Sequence, residues 1–157
     1  MEKEITEVYC GNGRGKTTLA IGQALRASSQ GKSVIIIQFL KGNERRERDF
    51  LEELDQLAIK IFRCEKMETC YDQLNEEEQV EEERNILNGL NFARKVIATQ
   101  ECDFLVLDEI LGLLDKHIAT VYMVVGLLKQ KDESMHLILT GNRVDPGILD
   151  YVDSVTT

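Results

Sequence analysis

The sequence has no apolar run approaching the roughly 20 residues that span a membrane, and its N-terminus, MEKEITEVYC, lacks the charged-then-apolar layout of a secretory leader. The expected location is therefore the cytoplasm, with no membrane partner. Basic charge is also scarce. With 19 Lys and Arg against 28 Asp and Glu, the net charge is −9, which repels polyphosphate backbones wherever no local basic patch intervenes. Nucleic acid is excluded as the main partner. The four cysteines, Cys10, Cys64, Cys70 and Cys102, form no C-x-x-C pair, and free thiols are expected in a reducing compartment. Cys64 and Cys70 in CEKMETC have a spacing that fits no familiar metal site, and no histidine lies near them. Nor is there a repeat, a low-complexity linker or an internal boundary. What is present is 157 residues with 43% hydrophobic content, enough for one domain, 1–157, with a core of its own.

Strand and helix signals alternate along the chain, the mark of a mostly parallel sheet flanked by helices. Strands are expected at Ile5–Tyr9, at Ser33–Phe39 (SVIIIQF), at Ala58–Phe62, at Phe104–Ile110 (FLVLDEI) and at Met135–Thr140. The unbroken apolar runs suit strands buried on both faces. Helices are expected at Lys16–Ser29, ended by Gly31, at about Glu44–Leu57, from Asn75 as cap to about Ala98, at Thr120–Lys129 and briefly from Pro146. Arg63–Asn75 reads as a loop, and Ser154–Thr157 as a stub of edge strand. The acidic residues Glu76–Glu78 and Glu81–Glu83 read as a solvated face near a helix N-terminus and receive no function.

The chemistry gathers where strands end. CGNGRGKTT, Cys10 to Thr18, matches the phosphate-loop pattern G-x-x-x-x-G-K-[ST] except that Cys10 stands where the first glycine belongs. Gly11, Gly13 and Gly15 let backbone N–H groups approach an anion, and the N-terminus of the following helix adds its positive dipole end. Lys16 supplies a mobile positive charge, Arg14 a second, and the Thr17 hydroxyl is placed to bind magnesium. The missing glycine matters little to that chemistry, because the anion-binding N–H groups follow it. VLDEI is an apolar strand ending in Asp108 and Glu109, which can hold a hard cation or cap the next helix; beside a phosphate loop, the metal reading is preferred. QFLKG brings Gln38 and Lys41 to the same rim of the sheet, and TGNR brings Thr140, Gly141 and Arg143. Each of these is open to reading as strand-end punctuation, but together they outline one cleft.

GNGRGKTT, QFLKG, VLDEI and LTGN followed by DPGILDYVDSVT resemble, in order and approximate spacing from Val8 to Thr156, the ATP:corrinoid adenosyltransferases of the cob(I)yrinic acid a,c-diamide type. The first glycine of the loop is commonly replaced in that family too. The resemblance implies a RecA-like P-loop domain, a homodimer, and transfer of the 5'-deoxyadenosyl group of ATP to the cobalt of a reduced corrinoid, with a flavoprotein as reductant. It implies that ATP lies reversed, its γ-phosphate deep in the loop. Gly11 to Thr18 would hold the triphosphate, Asn12 would lie near the nucleoside, and Thr17, Asp108 and Glu109 would hold magnesium. Lys16, Thr17 and Glu109 would stabilise the departing charge, while Arg26, Gln38, Lys41 and Arg143 are further ATP or rim contacts. The family's corrinoid-facing aromatic loop corresponds to Arg63–Asp72, RCEKMETCYD, where Tyr71 and neighbouring Phe62 are the aromatic residues present. Two other classes stand beside this reading: a P-loop ATPase or kinase acting at the γ-phosphate, and a module that binds ATP without turning it over.

Overall fold

The unbroken apolar runs become the middle of a sheet. β2 (Val34–Gln38) and β4 (Phe104–Asp108) are buried at every position, as strands covered on both faces must be. β1 (Thr6–Cys10), β3 (Lys60–Arg63), β5 (His136–Gly141) and β6 (Ser154–Thr156) complete the order β3-β2-β4-β5-β1-β6, with every pairing parallel. The computed structural model describes residues 4–11, 15–40, 59–67 and 69–157. The helix expected at Glu44–Leu57 lies outside the described residues, as do Asn12, Gly13, Arg14, Lys41 and Ala58.

Parallel strands need crossovers, and helices supply them on both faces. α1 (Gly15–Ser29) packs Ala20, Ile21, Ala24 and Ala27 against Tyr9, Ile36, Val106 and Ile138. It ends at Gly31, whose φ of +84° is left-handed backbone that glycine adopts without Cβ strain. α2 (Glu76–Thr99) opens on a capping box: Asn75 accepts from the Glu78 N–H, and the Glu78 carboxylate accepts from the Asn75 N–H. Its buried stripe of Ile86, Leu90, Ala93, Val96 and Ile97 covers the opposite face of the sheet beside Val124, Leu127 and Leu128. Those three belong to α4 (Val121–Gln130), which Thr120 caps. Gly89 marks the close approach of α2 to the chain leaving β3; a Cβ there would stand 2.1 Å from Cys64 Sγ.

Two features depart from the sequence pattern. The strand expected to reach Ile110 stops at Asp108, because Glu109 turns into left-handed backbone at φ 59°, ψ 23° and starts α3 (Ile110–Asp115). The acidic face of α2 is also not wholly solvated: Glu82 is fully buried. Within the expected Arg63–Asn75 loop, Tyr71–Gln73 form a single 3-10 turn. Pro146 opens the short α5 (Pro146–Leu149) behind an Asp145 cap. All four cysteines are free thiols, and burial pushes Cys64 up to about 12 and Cys102 up to about 11. Among the described residues, no helix is long and apolar enough to cross a membrane.

Candidate active site

The sheet register brings the strand ends into one row. Gln38 is paired with Arg63 on one side and Asp108 on the other. Leu107 pairs with Leu139, so the next residues, Asp108 and Thr140, are neighbours, and Thr140 pairs in turn with Tyr9. These are the carboxyl ends of the strands, where ligands bind in open α/β sheets.

Asp108 is 3% exposed, and its Oδ1 accepts from Thr17 Oγ1 at 3.0 Å and from Thr140 Oγ1 at 2.8 Å. The Thr140 hydroxyl in turn accepts the Glu109 N–H at 2.8 Å. One buried hydroxyl therefore joins both carboxylate residues and satisfies the N–H that the left-handed turn at Glu109 would leave stranded. Such a turn costs a side-chain-bearing residue about 1–2 kcal/mol, and here it accompanies a functional geometry: Glu109 Oε1 stands 3.3 Å from Lys16 Nζ. The Lys16 ammonium also donates to the Gly11 carbonyl at 3.2 Å and to Asn142 Oδ1. Gly11 has φ +136° and donates its own N–H to the Asn142 carbonyl at 2.9 Å. Asn142 thus joins the loop after β5 to both backbone and side chain of the phosphate loop. It was within TGNR but unassigned, its only signal being its place beyond Gly141 at a strand end. Gly141 itself serves close packing, since a Cβ would stand 2.3 Å from Leu111 Cβ.

Together these groups can bind an anion and a hard cation side by side. Lys16 and the N–H groups opening α1 face the loop, and Thr18 and Gly15 are exposed in that first turn. The Thr17 hydroxyl and the Asp108 and Glu109 carboxylates are oxygen donors of the kind magnesium takes, so the donor set fits that ion. Among the described residues there is no group of three or more His, Cys, Asp or Glu able to hold a metal. An ion here would therefore complete its shell from Thr17, water and phosphate. Cys10 is buried within the apolar core on the α2 face. A cavity of about 380 Å³ lies beside the loop, bordered by Tyr9, Gly11, Lys16, Leu19 and Thr156. At the same rim, Gln38 is 4% exposed and its Oε1 is buried with no hydrogen-bond partner among the described residues, a buried acceptor that a ligand or water can satisfy.

Two predicted contacts are not brought to Lys16. Arg26, ten residues further along α1 and so about 15 Å away by helical rise, lines a cavity of about 160 Å³ with Gln30, Lys32, Phe104 and His136. That is the opposite end of the strands. Arg143 points its guanidinium to the end of α3, where Nε donates to Asp115 Oδ1 at 2.8 Å, and its side chain is 81% exposed.

The segment Arg63–Asp72 is fastened to α2 by groups that the charge pattern had not singled out. Glu82 accepts the Lys66 N–H at 2.8 Å and the Met67 N–H at 2.9 Å, and holds the Asn85 side-chain amide at 2.9 Å. Tyr71 donates its hydroxyl to Glu83, its carbonyl accepts from Gln79, and Lys116 Nζ lies 5.8 Å from its ring centroid. Burial and the Glu83 carboxylate push the Tyr71 hydroxyl up to about 12. Phe62, 40% exposed, packs on Phe92 with ring centroids 4.6 Å apart.

Comparison with known proteins adds to this geometry. Residues 2–157 match the family model for ATP:corrinoid adenosyltransferase BtuR/CobO/CobP. The chain is 30% identical to the corrinoid adenosyltransferase of Escherichia coli K12 over 160 residues, covering 99% of this chain and 76% of that one. It is 29% identical, with the same coverage, to corrinoid adenosyltransferase CobA of Salmonella typhimurium LT2. Among solved structures it resembles a KaiC-like protein, PH0186, of Pyrococcus horikoshii, with a TM-score of 0.62 at 20% identity over 98% of this chain and 71% of that one. That likeness shows the fold, an α/β P-loop domain of the RecA-like kind.

Proposed function

The chain belongs to the ATP:corrinoid adenosyltransferase family, and from that premise we propose that it moves the 5'-deoxyadenosyl group of ATP onto the cobalt of a cob(I) corrinoid and releases triphosphate. ATP-dependent adenosyl transfer to a corrinoid is the family activity. The observation that carries the finer reading is the cluster at the rim, in which Lys16, Thr17, Asp108, Glu109 and Thr140 are tied together within hydrogen-bond or ion-pair distance.

Cob(I) carries its own nucleophilic electron pair. The cobalt–C5' bond forms from that pair as the C5'–O bond breaks, and the bonding electrons leave with the triphosphate oxygen. No side chain has to act as nucleophile or remove a proton, so the protein's work is placement and stabilisation of the departing charge. Lys16 and the loop N–H groups face that charge, and Gly11 and Asn142 hold the ammonium in position. Glu109, which a hydrolase would use to orient water, is engaged with Lys16 at 3.3 Å. Magnesium held by Thr17, Asp108 and Glu109 would supply further neutralisation of the phosphates. In this reading ATP lies reversed, with its γ-phosphate in the loop and its C5' directed outward, and Asn12, Gly13 and Arg14 complete the cradle. The preferred corrinoid is cob(I)yrinic acid a,c-diamide, reduced with help from a flavoprotein, and residues 1–157 act as one domain within a homodimer.

The test is an anaerobic assay with ATP, magnesium and chemically reduced corrinoid, followed by visible absorption. The expected result is the spectrum of an alkyl-cobalt corrinoid. A spectrum that stays unchanged at high enzyme concentration would sink the proposal.

A further inference from the structure

A lysine ammonium has three hydrogens and no acceptor, and Lys16 meets three oxygens: the Gly11 carbonyl at 3.2 Å, Asn142 Oδ1, and Glu109 Oε1 at 3.3 Å. The ammonium is therefore fully engaged, and a phosphate oxygen that reaches it must displace one of the three. They are unequal. Glu109 is an anion that an incoming phosphate repels, whereas the Gly11 and Asn142 oxygens are neutral and are not driven off in this way. Asn142 thus stays on Lys16 when the loop is filled.

Because lysine only donates, the Asn142 carboxamide must turn its oxygen to Lys16 and its NH2 group away from it. Asn142 is exposed, and among the described residues nothing accepts from that NH2 group. The backbone fixes where the amide sits. Thr140 and Gly141, just before it, are held in the sheet opposite Tyr9 and Cys10, and the Asn142 carbonyl accepts the Gly11 N–H at 2.9 Å. The two heteroatoms of an amide share one carbon, so Nδ2 lies beside the ammonium, within reach of an oxygen bound to Lys16. We propose that Asn142 is a further triphosphate-binding residue for the reaction, its amide bridging Lys16 and a phosphate oxygen, with Oδ1 accepting from the ammonium and Nδ2 donating to the phosphate. Lysine is a compact point charge that gives an anion little direction; a planar amide beside it supplies that direction through a hydrogen bond to a charged acceptor. The inference rests on the phosphate-loop part of the reading above and deepens it by one residue.

The test compares Asn142→Ala and Asn142→Asp with wild type for binding of ATP and of inorganic triphosphate, by titration calorimetry with no corrinoid present. Asn142→Ala is expected to weaken both ligands about tenfold, the lower end for a hydrogen bond to a charged group. Asn142→Asp should weaken both further, since it keeps an acceptor for Lys16 but loses the donor and sets a carboxylate against the phosphates. The order of the two variants is decisive. If Asn142 only props Lys16, a carboxylate holds the ammonium at least as well and Asn142→Asp becomes the milder change; that order, or an unchanged Kd in Asn142→Ala, would overturn the proposal. In turnover, kcat/KM for ATP should fall by the factor seen in binding, while KM for the reduced corrinoid stays within twofold. If wild type binds inorganic triphosphate in an Asn142-dependent way yet forms no cobalt–carbon bond, the role of Asn142 stands and the transfer reading fails. If wild type binds neither ATP nor inorganic triphosphate, the role of Asn142 fails as well.

Discussion

Among the described residues, Lys16 brings positive charge to the phosphate loop, and three oxygens from three different segments hold it: the Gly11 carbonyl, Asn142 Oδ1 and Glu109 Oε1. Lys16→Ala is expected to lower kcat by about 10²–10³, as loss of one preorganised charge-stabilising donor does, with folding retained by circular dichroism; near-normal turnover would refute the phosphate-loop assignment. Thr140 is fully buried. Thr140→Val leaves the Glu109 N–H without its acceptor and Asp108 short of a donor, so urea unfolding should report a loss of about 1–3 kcal/mol, largely restored by Thr140→Ser. Lys16, Thr17 and Asp108 were legible in the sequence because a loop between strand and helix fixes where such residues go. Asn142 was not, because its role comes from a contact across 126 positions of sequence that no local pattern encodes. Arg26 and Arg143 illustrate the converse: a cation near a motif in sequence is carried elsewhere by helical rise or recruited by a closer acid such as Asp115.

The strands were legible to within a residue or two, since apolar runs buried on both faces leave little choice of register. α3 was hidden because its start depends on the left-handed backbone of Glu109, a conformation that no sequence preference announces for glutamate. The acidic run on α2 misled for a related reason: composition predicts solvated carboxylates, but Glu82 points inward and is satisfied by Lys66 and Met67 N–H groups. Where α2 meets the chain leaving β3, Gly89 permits the contact. Gly89→Ala would place a methyl group 2.1 Å from Cys64 Sγ and is expected to destabilise by about 1–3 kcal/mol, with a lower urea midpoint. An unchanged midpoint would show that α2 shifts freely at this point, contrary to the packing described.

Across the molecule, the acidic chain is drawn together at the far end of the sheet by a small ion-pair network. Glu4 meets Lys32 at 3.0 Å and His136 Nδ1 at 3.1 Å, while His136 Nε2 meets Glu7 at 2.7 Å. Burial pushes the Glu4 carboxyl up, but hydrogen bonds and charge from Lys32 and His136 outweigh it and hold the group below its ordinary 4.5. A carboxyl with a depressed folded pKa contributes stability that is present above its unfolded pKa and lost as pH falls through the folded value. Glu4→Gln should therefore lower the melting temperature at pH 7 and change it little at pH 3; equal losses at both would contradict this linkage. At the opposite end, the carboxyl rim gathers the phosphate loop and the two carboxylate residues along one row of the sheet. In the proposed reaction this rim uses the whole triphosphate as a leaving group. Phosphorus NMR of a completed anaerobic reaction should therefore show intact triphosphate, equal in amount to the alkyl-cobalt corrinoid formed; ADP with inorganic phosphate in its place would rule that reaction out.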